Sequence, residues 1–70
     1  AYPVEVVDLA AELAGYEGGN ATEAVEALVA LRAEARASKD WARADAVRDG
    51  MAALGLTIKD TPQGPQVEMA

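Results

Sequence analysis

Apolar residues recur at three- and four-residue intervals along most of this chain, in blocks parted by Gly, Asn and Asp. The first block holds Val4, Val7, Ala11 and Ala14, flanked by Val6, Leu9, Ala10 and Leu13, which predicts a short helix with a broad apolar face. Pro3 suits its first turn and Gly15 its end. Tyr16-Glu17-Gly18-Gly19 reads as a connector, and Asn20 with Glu23 has the spacing of a capping box, with Thr22 a competing cap. From there Val25, Leu28, Val29, Arg32, Ala35 and Arg36 run at helical intervals through an Ala- and Glu-rich stretch, predicting a second helix to about Ser38.

Asp40 is placed to cap a third helix, along which Ala44, Val47, Met51 and Leu54 form the apolar stripe and after which Gly55 accepts a left-handed backbone. Gly50 inside that helix either weakens it or permits a neighbour to approach closely. The period then changes. Leu56-Thr57-Ile58 has the alternation and branching of a short strand, Asp60-Thr61-Pro62-Gln63-Gly64 reads as a turn, and Val67 and Met69 are placed to pair back. The expectation is a mainly α fold, about three helices followed by a short C-terminal β-hairpin. Residues 1–19 form an N-terminal helix and connector, and residues 20–70 a helical hairpin plus terminal hairpin, one domain in all.

With 70 residues, 51% of them apolar and 26% charged, the chain has the composition of a folded domain and not of a disordered one. A domain of this size buries only about 60% of its unfolded surface, so its stability is expected to be small. That, together with Ala1 in place of an initiator Met and a scarcity of aromatic residues, reads as a piece of a longer protein. There is no Cys and no His, which removes disulfides, thiolate metal sites and the commonest general base. No run of about 18 apolar residues and no signal-peptide pattern is visible, so a cytoplasmic location is expected.

The net charge of −6 conceals an uneven distribution. Residues 1–31 carry Glu5, Asp8, Glu12, Glu17, Glu23 and Glu26 and no base, whereas residues 32–49 gather Arg32, Arg36, Lys39, Arg43, Arg48 and the sole Trp, Trp41. On helical spacing Arg32, Arg36 and Lys39 share one face of the second helix, and Trp41, Asp45 and Arg48 share one face of the third. These faces meet at the Ser38–Asp40 turn. A guanidinium, an indole and a carboxylate brought together supply charge for a phosphate, a ring for stacking and an acceptor for a base edge. Guanine fits best, because N1–H and the exocyclic amine are parallel donors to one carboxylate. The bland alternatives are a packing role for Trp41, solvated i,i+4 pairs for Asp45 and Asp49, and a plain surface position for Arg36.

The string EARASKDWARADAVRDGMAALGLTIKDTPQGP, Glu34 to Pro65, resembles the C-terminal segment of bacterial cysteinyl-tRNA synthetases. Its matching positions include Arg36, Lys39, Asp40, Trp41, Ala44, Asp45, Arg48 and Asp49, then Gly55, Asp60, Pro62 and Gly64. The resemblance implies a small helical domain with a mixed extension that recognises the GCA anticodon of cysteine tRNA. It further implies that Trp41 stacks on an anticodon base, that Arg36 contacts bases or backbone, and that Asp45 and Asp60 offer carboxylates to base edges. To these the charge pattern adds Arg32, Lys39 and Arg43 as phosphate partners. Where the family follows its turn with a Thr-Arg-Trp type of strand, this chain has Pro65-Gln66-Val67-Glu68, without the cation or the aromatic.

The catalytic motifs of such synthetases are absent, so no residue here is catalytic or metal-binding, and ATP and zinc are expected only in a separate catalytic part. The implied partners are the cysteine tRNA anticodon and that catalytic part, with no membrane and no DNA. Two other readings stay open: a helical module that docks on protein, and the C-terminal domain of a repurposed relative such as the mycothiol-pathway cysteine ligases. The presence of Arg36, Trp41, Asp45 and Asp60 together favours the anticodon module.

Overall fold

The computed structural model describes residues 2–69. Helices α1 (Glu5–Ala14), α2 (Ala21–Ala37) and α3 (Trp41–Ala53) precede strands β1 (Leu56–Thr61) and β2 (Gly64–Met69), the order that the hydrophobic pattern predicts. None of the helices is long and apolar enough to cross a membrane.

Each helix ends where local chemistry stops it. Gly15, at φ 70°, closes α1 with its N–H on the Ala11 carbonyl, a left-handed cap that Gly adopts without steric cost. Asn20 opens α2 by accepting from the Glu23 N–H through its side chain at 3.0 Å. The reciprocal arm of the capping box is indirect. The Asn20 N–H donates to the Tyr16 hydroxyl at 3.1 Å, and that hydroxyl donates to Glu23 Oε1 at 2.9 Å, so a phenol bridges the two partners. Both the carboxylate and partial desolvation hold the Tyr16 hydroxyl protonated above its usual range, desolvation being the larger cause.

The α2–α3 joint is tighter. Lys39 sits at φ 62°, its N–H on the Arg36 carbonyl, while the Asp40 N–H reaches the Ala35 carbonyl at 2.7 Å. That is a Schellman ending with a lysine where Gly is usual. Asp40 then turns its side chain to the Arg43 N–H at 3.2 Å, so one residue both completes one helix end and starts the next.

Burial follows the predicted stripes with one rotation. Val6 and Ala10 are the fully buried residues of α1, with Val7, Leu9 and Leu13 packed at the edge of the core, whereas Val4 is 75% exposed. The predicted face centres on Val4, Val7, Ala11 and Ala14; α1 turns instead so that Val6 and Ala10 meet Ala24, Val25 and Leu28 of α2. Gly50 marks where α1 and α3 come together. A Cβ built there would lie 2.8 Å from Leu9 Cδ1, so the glycine serves close approach. Val47, Met51 and Leu56 complete the core, joining α3 to the first residue of β1.

The antiparallel hairpin pairs Leu56 with Met69, Ile58 with Val67 and Asp60 with Pro65. It is longer than expected. Asp60, Thr61 and Gly64 lie in the strands and not in the turn, which shrinks to Pro62-Gln63. Pro62 fixes a negative φ, so the positive φ that closes the hairpin falls on Gly64, at 116°. The bond across the turn comes from the Thr61 hydroxyl, which donates to the Gly64 carbonyl. That frees the Asp60 side chain to leave the hairpin altogether.

Candidate nucleic-acid interface

Asp60 reaches across to α2. Arg32 donates from Nη1 to Asp60 Oδ1 at 3.2 Å and from Nη2 to Oδ2 at 3.1 Å, a two-pronged pair that suits the planar fork of arginine to a carboxylate. Arg36, one turn further along α2, donates from Nη1 to Oδ2 at 3.1 Å. The two guanidiniums, Arg32 first, hold the Asp60 carboxyl below its ordinary pKa. Spacing on α2 alone puts the arginines on one face; only the fold of the hairpin supplies their shared anion.

The exposure of the pair is uneven. The Arg32 side chain is 14% exposed and that of Arg36 47%, against 58% for Asp60. Arg32 is therefore the inner member of the cluster, and Arg36 lies at its surface. Beside them runs the first turn of α3. Trp41 is 56% exposed, so its indole is not sealed in the core and the packing alternative does not describe it. Arg32, Arg36, Trp41, Asp45 and Asp60 all line one cleft of about 180 Å³, Arg32 being the least exposed of its charged walls. Three arginines and two aspartates line it, giving a local excess of positive charge on a chain whose net charge is −6.

Arg48 is the lining residue that the sequence argument does not propose as a contact. It lies on the far wall, 3.4 Å from Asp45 Oδ1 through Nη1 and 3.2 Å from Asp49 Oδ1 through Nε. The signal is its helical register with Trp41 and Asp45. Ala44, 6% exposed, also lines the cleft and is the one small apolar residue among its walls. Lys39 and Arg43 do not line this cleft. Lys39 gives its backbone to the left-handed joint and leaves its side chain exposed, and Arg43 lies 3.7 Å from the capping carboxylate of Asp40. On β2, Glu68 pairs with Lys59 at 3.3 Å. Among the described residues no group of acidic side chains is arranged to hold a metal ion.

A cleft of this make can do three things at once. An accessible indole offers a face to a base, an exposed guanidinium offers charge or a donor fork, and carboxylates offer acceptors for N–H groups on a base edge. It contains no paired nucleophile and base.

Residues 19–67 match the family model described as cysteinyl-tRNA ligase anticodon binding domain. Among relatives, the cysteine–tRNA ligase of Heliobacterium modesticaldum is 44% identical over 64 residues, which are 91% of this chain and 13% of that protein. That of Solidesulfovibrio magneticus is 56% identical over 46 residues, 66% of this chain and 10% of the relative. That of Cutibacterium acnes is 65% identical over 40 residues, 57% of this chain and 8% of the relative. The chain thus spans a small part of the proteins it resembles, and no solved structure matches it. Because the family model takes in α2, α3, most of the hairpin and every residue of the cleft, the chain belongs to the family of cysteinyl-tRNA ligase anticodon binding domains.

Proposed function

We propose that the cleft between α2, α3 and β1 receives unstacked bases of the GCA anticodon of cysteine tRNA. The observation that carries this reading is the Trp41 indole, 56% exposed at the rim of a cleft that otherwise holds arginines and carboxylates. An exposed indole costs apolar surface in water, and stacking on a base recovers it. Asp45 takes the guanine edge, accepting from N1–H and the exocyclic amine, because its one arginine contact, at 3.4 Å, leaves most of its lone pairs open. Arg36 takes a phosphate or a base edge from the opposite wall.

On this reading the chain contributes discrimination more than affinity, since its acidic remainder repels a polyanion. It acts in the cytoplasm as part of a cysteine–tRNA ligase. Amino-acid activation, with its ATP and zinc, belongs to another part of that protein, and neither membrane nor DNA takes part. Trp41 is the sole Trp, so its fluorescence reports on the cleft directly. Titration with a stem-loop bearing GCA should quench that emission and shift the amide resonances of Arg36, Trp41, Asp45 and Asp60, while a stem-loop with a changed anticodon should do neither. Equal responses to the two RNAs would overturn the reading, and silence toward both would favour a protein-docking module.

A further inference from the structure

We infer that Arg32 is a positioning residue: it never touches RNA, but fixes the Asp60 carboxylate and, through it, aims the Arg36 guanidinium into the cleft. The inference rests on the anticodon reading and sharpens it, because the charge pattern alone makes Arg32 a phosphate partner. Three observations carry it.

The first is accessibility. The Arg32 side chain is 14% exposed against 47% for Arg36, so of the two arginines it offers a phosphate much the smaller surface. The second is geometry. Both Arg32 terminal nitrogens donate to the two oxygens of one carboxylate, at 3.2 Å and 3.1 Å, which turns the fork of the guanidinium toward Asp60 and fixes the plane of that carboxylate. The third is a count of lone pairs. A carboxylate offers about four acceptor positions. Arg32 takes one on each oxygen, and Arg36 takes the second on Oδ2, leaving one open position on Oδ1. The Arg36 side chain itself gives only one N–H to Asp60 and makes no other hydrogen bond among the described residues. Its orientation therefore depends on where Oδ2 is held, and its remaining donors are left without a side-chain partner at the wall of the cleft.

The consequence is a division of labour between the two aspartates. Asp60 accepts at most one donor from RNA while the arginines hold it, so a two-donor base edge goes to Asp45. The lowered pKa of Asp60, caused first by Arg32 and then by Arg36, agrees with this arrangement, since both guanidiniums favour the charged carboxylate.

The test compares the full 70-residue chain with Arg32→Lys, which keeps the charge but loses the fork, and with Arg32→Gln, which loses the charge. Each is titrated with a GCA stem-loop and a changed-anticodon control at several salt concentrations, with thermal melts alongside. For a positioning role, both variants lose roughly ten-fold in the ratio of the two affinities, while the dependence of binding on salt keeps its slope. The resonance of the Asp60 carboxyl also titrates closer to its ordinary range in both. For a phosphate contact, Arg32→Gln weakens both RNAs alike, lowers the salt slope by about one and leaves discrimination intact, which would overturn the inference. Discrimination unchanged in both variants would overturn it equally. Should Arg32→Gln fail to fold, Arg32→Lys decides by the same ratio. A parent chain that does not discriminate at all refutes the anticodon reading and takes this inference with it, an outcome visible before any variant is made.

Discussion

Replacing Trp41 by Ala acts on both binding and stability, and the structure allows the two to be separated. A tryptophan buries roughly 150–250 Å² when fully enclosed; at 56% exposure the indole here covers on the order of 100 Å². At about 25 cal/mol per Å², its removal costs the fold at most about 2.5 kcal/mol. Loss of a stacking platform costs about 1–3 kcal/mol per base, a roughly five- to 150-fold weakening of binding. The numbers overlap, and in a small domain a partly unfolded variant imitates a binding defect. Trp41→Phe resolves this, because Phe keeps a ring to stack and most of the apolar surface that the indole buries. Calorimetric titration with the GCA stem-loop at about 10 °C, near the expected stability maximum, should rank the original chain above Trp41→Phe and that variant above Trp41→Ala. Circular dichroism at the same temperature supplies the folded fraction by which each affinity is corrected. Corrected affinities that coincide for the original chain and Trp41→Ala would show that no base stacks on the indole.

Four further outcomes follow from the described geometry. Asp45→Asn should lower the preference for guanine over adenine at the contacted position by about 1–3 kcal/mol, read from affinities for stem-loops differing there alone; an unchanged ratio would remove Asp45 from base reading. Asp60 has a depressed folded-state pKa, caused first by Arg32 and then by Arg36, so its stabilising contribution is present above the unfolded value of about 3.9 and is lost as pH falls through the lower folded value. Urea melts across the acid range should thus show a steeper loss for the parent chain than for Asp60→Asn, and parallel curves would refute the linkage. Lys39→Gly should raise stability by about 0.5–1 kcal/mol by relieving the left-handed φ of 62°, seen as a higher Tm, and should leave anticodon discrimination alone. Gly50→Ala gains about 1 kcal/mol of helix propensity but presses on Leu9, so it should be clearly more favourable in a Leu9→Ala background than alone, as a double-mutant cycle would show.

The helices are legible in the sequence because each limit is written in a residue that does one job: Gly15 and Asn20 around the first connector, Asp40 at the second. Local spacing also places Arg36, Trp41 and Asp45 on faces that converge. What spacing does not show is contact between distant residues. Arg32 and Asp60 lie 28 positions apart, and nothing in either neighbourhood says that they form a two-pronged pair. The same gap explains the hairpin. Asp60 reads as a turn residue bonded to the backbone ahead, but Thr61 makes that bond, and Asp60 belongs to a strand because its side chain has partners on α2. The orientation of α1 departs from its predicted face for a related reason. Glu5, Asp8 and Glu12 mark the outward side of α1, and within the broad apolar face opposite them the inward centre falls on Val6 and Ala10, where α2 packs and where Gly50 leaves room for Leu9.

A sheet of only two strands leaves both outer rows of backbone groups open to a stranger's chain. Pro65 lacks an N–H to lend such a visitor, and the Lys59–Glu68 pair sets charge across the ribbon. The departure at Pro65-Gln66-Val67-Glu68 that thins this strand of a cation and a ring thereby also makes it a poor seed for fibrils, and exchanging Pro65 for a β-branched residue would remove one guard against self-association.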